Sequence, residues 1–445
     1  MKFFRFSSAA VLFALVGLAF AAGIEIVKEV PSTFLYPTSG FLPFNIHRGT
    51  QTMLSLMVPG CSFADPRGVA CALLKKDHDP GSPQNDVVVT CIGVNSEAGE
   101  IIYNVGLKDI RRFGSVGHAE KQFFQPTGVA INPDGEVAVA DTGNNRIALL
   151  QHDGLRLSWV KAVGKAGTKP GQFNAPSGVA YDSQNNLYIA DTGNNRVQVR
   201  DARGHFHVLE TTPLEGPSAI AVIDNREAWT FFQQGPYPNR LAVIDRQGQR
   251  ILTMDLSGGL MASTTADRLP DPPVKLYACA FDYYGNVVAT DFDKSCLRKF
   301  DKDLRYLVTF GSLGTDDFQF TEPRGIAINH QFGQILVAEK ESVQYFWNGA
   351  DAVNLQLQPG PKGLRFPFFL TERALITAQI MDSASNTVTT LAKDQDLEQG
   401  TQEVDWTPAP SVSSGNYLLK MRVMATYSSR DRIAKEITFP VPYQK

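Results

Sequence analysis

The stretch Phe123–Gly154 occurs twice, returning at once as Phe173–Gly204. The copies read FFQPTGVAINPDGEVAVADTGNNRIALLQHDG and FNAPSGVAYDSQNNLYIADTGNNRVQVRDARG, and they align without a gap. Pro126 falls on Pro176, Gly128 on Gly178, Asp141 on Asp191, Asn145 on Asn195 and Arg146 on Arg196. A period of about fifty residues built from short strands is the mark of a propeller or solenoid, because no single unit can bury its own faces. Each unit holds three hydrophobic runs (GVAIN, EVAVAD and RIALLQ in the first), with Asn-Pro-Asp-Gly and Thr-Gly-Asn-Asn turns between them. Runs this short and this rich in Val, Ile and Ala suit strands buried on both faces. The linking segment Leu157–Val163 supplies a fourth, outer strand, completing a propeller blade.

These residues resemble the NHL repeat family, whose motif is P-x-G-V-A followed by D-x-x-N-x-R-I/V. Within the motif, Asp141, Asn145, Arg146, Asp191, Asn195 and Arg196 are expected to be structural loop residues. The aspartates would accept backbone N–H groups, the arginines would pair with carbonyls, and Gly143 and Gly193 would take positive φ.

With that template, four degenerate blades can be placed. Asp65–Ala70 opens the first, with Val87–Asn95 as its second strand and Cys91 in the aspartate's place. Pro217–Val222 opens the fourth, followed by a second strand at Ala228–Phe232 and a third at Asn239–Ile244. Tyr277–Asp282 opens the fifth and Pro323–Ile328 the sixth. The alternating, apolar segment Thr50–Val58 is expected to supply the outer strand that closes the ring, since an open array leaves exposed edges.

The fold class read from the sequence is all-β: a six-bladed NHL-type β-propeller over residues 50–352, followed by a small immunoglobulin-like β-sandwich over 365–445. A linker over 353–364, centred on Pro359–Gly363, is expected to be exposed and open to proteolysis. Beyond it the strands alternate: Ala374, Ile376, Ala378 and Ile380 share one face, with Val388, Leu391, Trp406, Tyr417, Leu419, Met421 and Val423 completing a core. The stretch from Phe368 to Val423 resembles the FlgD-like immunoglobulin module, although Thr407–Pro410 follows Trp406 where that family has an Asp-Gly turn. Its Ser-Gly-Asn-Tyr-Leu-Leu-Lys segment also resembles the carboxy-terminal sorting modules of some bacterial secretion systems.

The amino terminus reads as a signal peptide over 1–21: Lys2 and Arg5, an apolar run Ala9–Leu18, then Ala19-Phe20-Ala21. Residues 22–49 form an amino-terminal arm. The expected location is therefore secreted, periplasmic or cell-surface, with no membrane span. A net charge of -3 gives no support for nucleic-acid binding. The five cysteines do not read as a disulfide framework; Cys279 and Cys296 are expected as buried small side chains, and only Cys61 with Cys91 as a candidate pair.

Propeller lyases and lactonase-type hydrolases hold a metal at the ring axis, and that enzyme class is the alternative reading. The seven histidines, however, do not share equivalent places near the axis, and only His118 lies in a loop leading to a first strand. Asp291-Phe292-Asp293 begins like a calcium loop, but Lys302 stands where a glutamate is needed. No metal, no cofactor and no catalytic residue is assigned. The expected function is a non-enzymatic binding or scaffold protein for a protein or glycan partner, an anionic one if charge decides. The middle residues of P-x-G should ring the axial mouth: Arg67, Thr127, Ser177, Ser218, Tyr277 and Arg324. Arg67 and Arg324 become neighbours on ring closure and need an anion between them, unless Glu322, Glu339 or Glu341 neutralises Arg324. A blade-four loop carrying Phe232 and Tyr237 is expected on the same face, so Arg67, Tyr277, Arg324, Phe232 and Tyr237 are the candidate ligand-binding residues.

Overall fold

The computed structural model describes residues 26–28, 34–35, 48–75, 89–106, 109–224, 239–329, 333–426 and 434–445. The leader, most of the arm, the Ala228–Phe232 strand, Phe232, Tyr237, His47, His78 and His330 lie outside them.

Six β-sheets follow one another in chain order, and their first strands touch around a closed ring. Blade two has Val129–Ile131, Glu136–Asp141, Arg146–His152 and Leu157–Val163 in consecutive antiparallel register. Its second strand is apolar throughout because both faces are covered: Val137, Ala138, Val139 and Ala140 are all fully buried. Its outer strand meets solvent and carries the exposed Val160. The glycine of P-x-G is fixed by the ring. A Cβ at Gly128 would lie 2.1 Å from the Ser177 carbonyl oxygen of the next blade, and one at Gly325 would lie 2.1 Å from that of Arg67. No larger side chain fits at these two glycines as the first strands pack there, although blades four and five carry Ala219 and Ala278 at the equivalent place.

The repeat loops are tied as their residues suggest, with one correction. Asp141 is fully buried; it accepts the Phe124 amide at 2.7 Å, Asn144 Nδ2 at 2.8 Å and Arg146 Nε at 2.7 Å. The Arg146 guanidinium also donates to the carbonyls of His118, Ala119 and Gln122. Asp191 and Arg196 repeat the set in blade three. The left-handed residues are Asn145 (φ 52°) and Asn195 (φ 55°), not Gly143 and Gly193. Gly143 is needed for clearance, since a Cβ there would meet Phe124 Cδ1 at 2.4 Å. The Asn145 side chain accepts the Ala175 amide at 2.8 Å and so links blade two to blade three. Asn145→Ala should therefore lose about 1–2 kcal/mol through left-handed strain alone, measured by denaturant unfolding.

Three strand assignments change. In blade one the second strand is Thr90–Asn95, and buried Asn95, not Cys91, takes the aspartate's place. Asn95 Oδ1 accepts the Ala64 amide at 2.6 Å and Nδ2 donates to Ser62 O at 2.7 Å, whereas Cys91 lies opposite Cys71. In blade four Arg240–Asp245 pairs directly with Ala219–Ile223, so it is the second strand; Arg250–Met254 is the third. Residues 225–238, with the loop expected to carry Phe232 and Tyr237, thus come between strands one and two in the chain and lie outside the described residues.

The third change is ring closure. Gln51–Met57 is an α-helix with only Leu54 buried; its Gln, Leu and Met residues favour helix over the expected strand. The closing strand is Arg48–Thr50, antiparallel to Ser342–Gln344, extended by Phe34–Leu35 against Trp347–Asn348. Blade six lacks an arginine of its own beside its buried Glu339, and the arm provides one. Arg48 reaches Glu339 at 3.5 Å and donates to the carbonyls of Thr315 and Gln319, as Arg146 does within blade two.

The carboxy-terminal unit is built of two β-sheets packed on a shared core. One sheet orders Thr387–Leu397, Ala374–Met381, Gly415–Ala425 and Ala434–Tyr443, with arm segment Ile26–Lys28 added in parallel. The other pairs Gly363–Leu370 with Gly400–Trp406 on one side and with Ala352–Val353 and Gln358–Gly360 on the other. Ala374, Ile376, Ala378 and Ile380 are fully buried, and the Trp406 ring lies 5.3 Å from both Tyr417 and Tyr443. Val388, expected in the core, is 36% exposed on the edge strand. The expected linker is also corrected: Pro359–Gly363 is a hairpin of the sandwich, with Gly360 registered against Gly363.

Propeller and sandwich are joined by a buried polar latch. Lys299 of blade five lies 3.0 Å from Asp282 and in contact with Glu372 of the sandwich, all three essentially unexposed. Asn286 and Asn348 each donate to Glu372 at 3.2 Å, and the Tyr284 hydroxyl meets that of Thr426.

Candidate functional site at the axial mouth

A cavity of about 270 Å³ opens at the ring axis, and all six middle residues of P-x-G line it: Arg67, Thr127, Ser177, Ser218, Tyr277 and Arg324. Val69, Val129, Val179, Ile220, Cys279 and Ile326 follow one level down. In blades two, three and five the lip residue is partnered by the residue after the blade's loop aspartate. In blade two that pair is Thr127 with Thr142, hydroxyls 2.7 Å apart; in blade three it is Ser177 with Thr192, 2.6 Å apart. These hydroxyls also donate across blades, Thr127 to Ser177 O and Ser177 to Ser218 O. On this arc the lip is stitching.

The arc of blades five, six and one differs. Tyr277 and Phe292 occupy the places of Ser177 and Thr192, and their rings stack at 5.7 Å and 25°. The Lys275 ammonium lies 5.0 Å from the Phe292 ring centre, and the Arg324 guanidinium 5.4 Å from it. Arg324 and Arg67 are brought together as expected, and the carboxylate between them is internal. Asp65 lies 2.7 Å from Arg67 Nε and in contact with Arg324, which also pairs with Glu322. Of the three glutamates considered for Arg324, Glu322 is the one used; Glu339 belongs to the Arg48 loop. Asp65 and Glu322 each precede a proline and hold φ of 56° and 50°, a left-handed conformation that non-glycine residues rarely adopt. The backbone thus presses both carboxylates onto the arginines.

Charge is therefore balanced for Arg67 and Arg324, and Glu322 also pairs with Lys340 at 3.1 Å. Lys275 has no carboxylate partner among the described residues and is only half-buried. Burial lowers Arg324 below its usual range and raises the Tyr277 phenol, so the phenol stays a hydrogen-bond donor at neutral pH. The Cys279 thiol is pushed up to about 12 by burial and supplies no thiolate nucleophile.

Lys275 and Phe292 were not singled out in the sequence. The signal lay in the repeat itself, where the Thr142 and Thr192 position becomes Phe292 just as the Thr127 and Ser177 position becomes Tyr277. His118 sits on a neighbouring loop, its Nδ1 2.5 Å from Asn144 Oδ1 and its ring 5.0 Å from Phe124. Among the described residues no cluster of three metal-binding side chains is found.

Residues 123–148 and 173–199 match the NHL repeat family, so blades two and three of this six-bladed β-propeller carry NHL repeats. The B-box type zinc finger protein ncl-1 of Caenorhabditis elegans is 46% identical over 43 residues, covering 10% of this chain and 5% of that protein. Among solved structures, a streptogramin B lyase superposes with a TM-score of 0.43 at 13% identity, covering 65% of this chain and 95% of that one. The gluconolactonase of Xanthomonas campestris gives 0.45 at 11% identity, covering 67% and 93%.

Proposed function

We propose that this chain is an exported, non-enzymatic binding protein whose axial mouth takes an anionic ligand, an acidic glycan or an acidic peptide segment. The observation that carries the reading is Lys275, an uncompensated cation held over Phe292 beside the Tyr277 ring, while Asp65 already bridges Arg67 and Arg324 and Glu322 pairs with Arg324 as well. An entering anion finds its charge partner in Lys275, and the adjoining ring offers a stacking surface. Arg67 and Arg324 serve as a shape-holding rim. The sandwich is read as a FlgD-like module that presents the propeller, fixed to blades five and six through the latch.

Binding of oligogalacturonate and oligoglutamate to the full chain tests this. Lys275→Glu should weaken binding at least about tenfold, equivalent to about 1.4 kcal/mol. It should leave Tm unchanged, because the lysine makes no buried pair. Tyr277→Ala should weaken it as well, and added salt should lower wild-type affinity. Wild-type protein that binds neither probe, or Lys275→Glu protein that binds as well as wild type, would overturn the reading.

A further inference from the structure

The first hairpin of blade one carries a second chemistry. Cys71 on Pro66–Ala72 and Cys91 on Thr90–Asn95 are direct partners in antiparallel register. They take the place of Ile131 and Val137 in blade two. There the Ala140 amide donates to Gly128 O and the Asn132 amide to Glu136 O, which leaves the Ile131–Val137 pair as a non-hydrogen-bonded one. The Cys91 amide agrees, donating to Asn104 Oδ1 at 2.6 Å on the opposite side of its strand. Partners of that kind have Cα atoms about 4.5 Å apart and side chains on one face. A disulfide spans roughly 4.4–6.8 Å between Cα atoms. Both side chains belong to one apolar cluster with Leu336 and Tyr345 of blade six. Cys91 also borders an apolar cavity of about 100 Å³, which leaves its sulfur room to turn.

We propose that Cys71 and Cys91 form a cross-strand disulfide that clips blade one at the seam where the ring closes. This corrects the pairing of Cys61 with Cys91, since Cys61 faces Glu100 at 3.8 Å. The oxidant is an external disulfide such as oxidised glutathione. The more exposed Cys71 loses its proton and attacks one sulfur of that disulfide, expelling one thiolate and forming a mixed disulfide. Cys91 then loses its proton and attacks the Cys71 sulfur, forming the new S–S bond and expelling the second thiolate. Two protein thiols are oxidised, one external disulfide is reduced to two thiols, and the two protons pass to the expelled thiolates. Burial holds the Cys91 thiol well above its ordinary range, so the second step is the slow one and quickens as pH rises.

The test is to treat the native full chain with oxidised glutathione, then alkylate in denaturant and map the peptides by mass. Labelled thiols should fall from five to three, with a peptide linking Cys71 to Cys91 and the mass of two hydrogens lost. Cys91→Ser should stop at a glutathione adduct on Cys71. Cys71→Ser should keep the Tm of the reduced protein but lose the rise in Tm that oxidation gives the wild type. Five labelled thiols after treatment, or a link to Cys61 in place of Cys71, would overturn the proposal.

Discussion

Lys299→Met is expected to lose about 3–5 kcal/mol of stability, the usual cost of leaving a buried charge without its partner. The lysine is fully buried, and its ammonium stands between Asp282 of the propeller and Glu372 of the sandwich. Without it two carboxyl groups face each other across the domain junction. Denaturant unfolding checks the magnitude; a loss below about 1 kcal/mol would show that the latch carries no such load. The same cluster gives a pH signature. Two carboxyls share one ammonium, and Glu372 is the one that keeps a proton, pushed up to about 8 by burial first and by Asp282 second, against the pull of Lys299. An unfolded glutamate releases that proton near pH ~4.3. The stabilising contribution of a raised carboxyl is complete below the unfolded value and is lost as pH rises through the folded one. Stability should therefore fall by up to about 1.4 kcal/mol per pH unit between those values, then level off. Glu372→Gln keeps the shape and removes the titration, so the difference between its pH profile and the wild-type profile isolates the effect. Parallel profiles would refute the assignment.

Arg48→Ala should lose about 3 kcal/mol, toward the lower end because the guanidinium is partly solvated. Glu339 is left buried with its amide and hydroxyl donors but no cation, and the carbonyls of Thr315 and Gln319 lose theirs. The damage should be local before it is global. Proteolysis ought to reach blade six first, while the Asp141 and Asp191 loops stay protected. Arg48→Lys should recover part of the loss by restoring charge without the fork that reaches several acceptors. An Arg48→Ala protein as stable and as protected as wild type would mean that the ring closes without this pair.

The blades that were legible in the sequence are those whose ties are local. Asp141 to Arg146 and Asp191 to Arg196 each close a loop within five residues of chain, so the motif carries its own explanation. Blade six was misread at its edge because its arginine arrives from residue 48, where no repeat spacing points to it. Blade four was misread because residues 225–238 part its first two strands and displace the punctuation by one strand. At the mouth, Tyr277, Arg67 and Arg324 followed from repeat position alone, and so did their adjacency. The internal neutraliser Asp65 lies two residues from Arg67 but was passed over, since nothing in spacing says that a residue before proline will turn left-handed and face inward. The latch was invisible for a simpler reason: Asp282, Lys299 and Glu372 each look like an ordinary surface charge until two folded units bury them together.

The arm sets the order in which the molecule can be completed. Ile26 pairs with Ala434 and Thr50 with Ser342, so the earliest segments of the chain wait for nearly the last. At synthesis rates of about 5–20 residues per second, the interval between Thr50 and its partner is on the order of 15–60 s. Throughout it the arm strands are present while the blade and the sheet they complete are still to be made. Completion is thus late and comes in two steps, blade six first and the sandwich sheet after it, both fastened by the one arm.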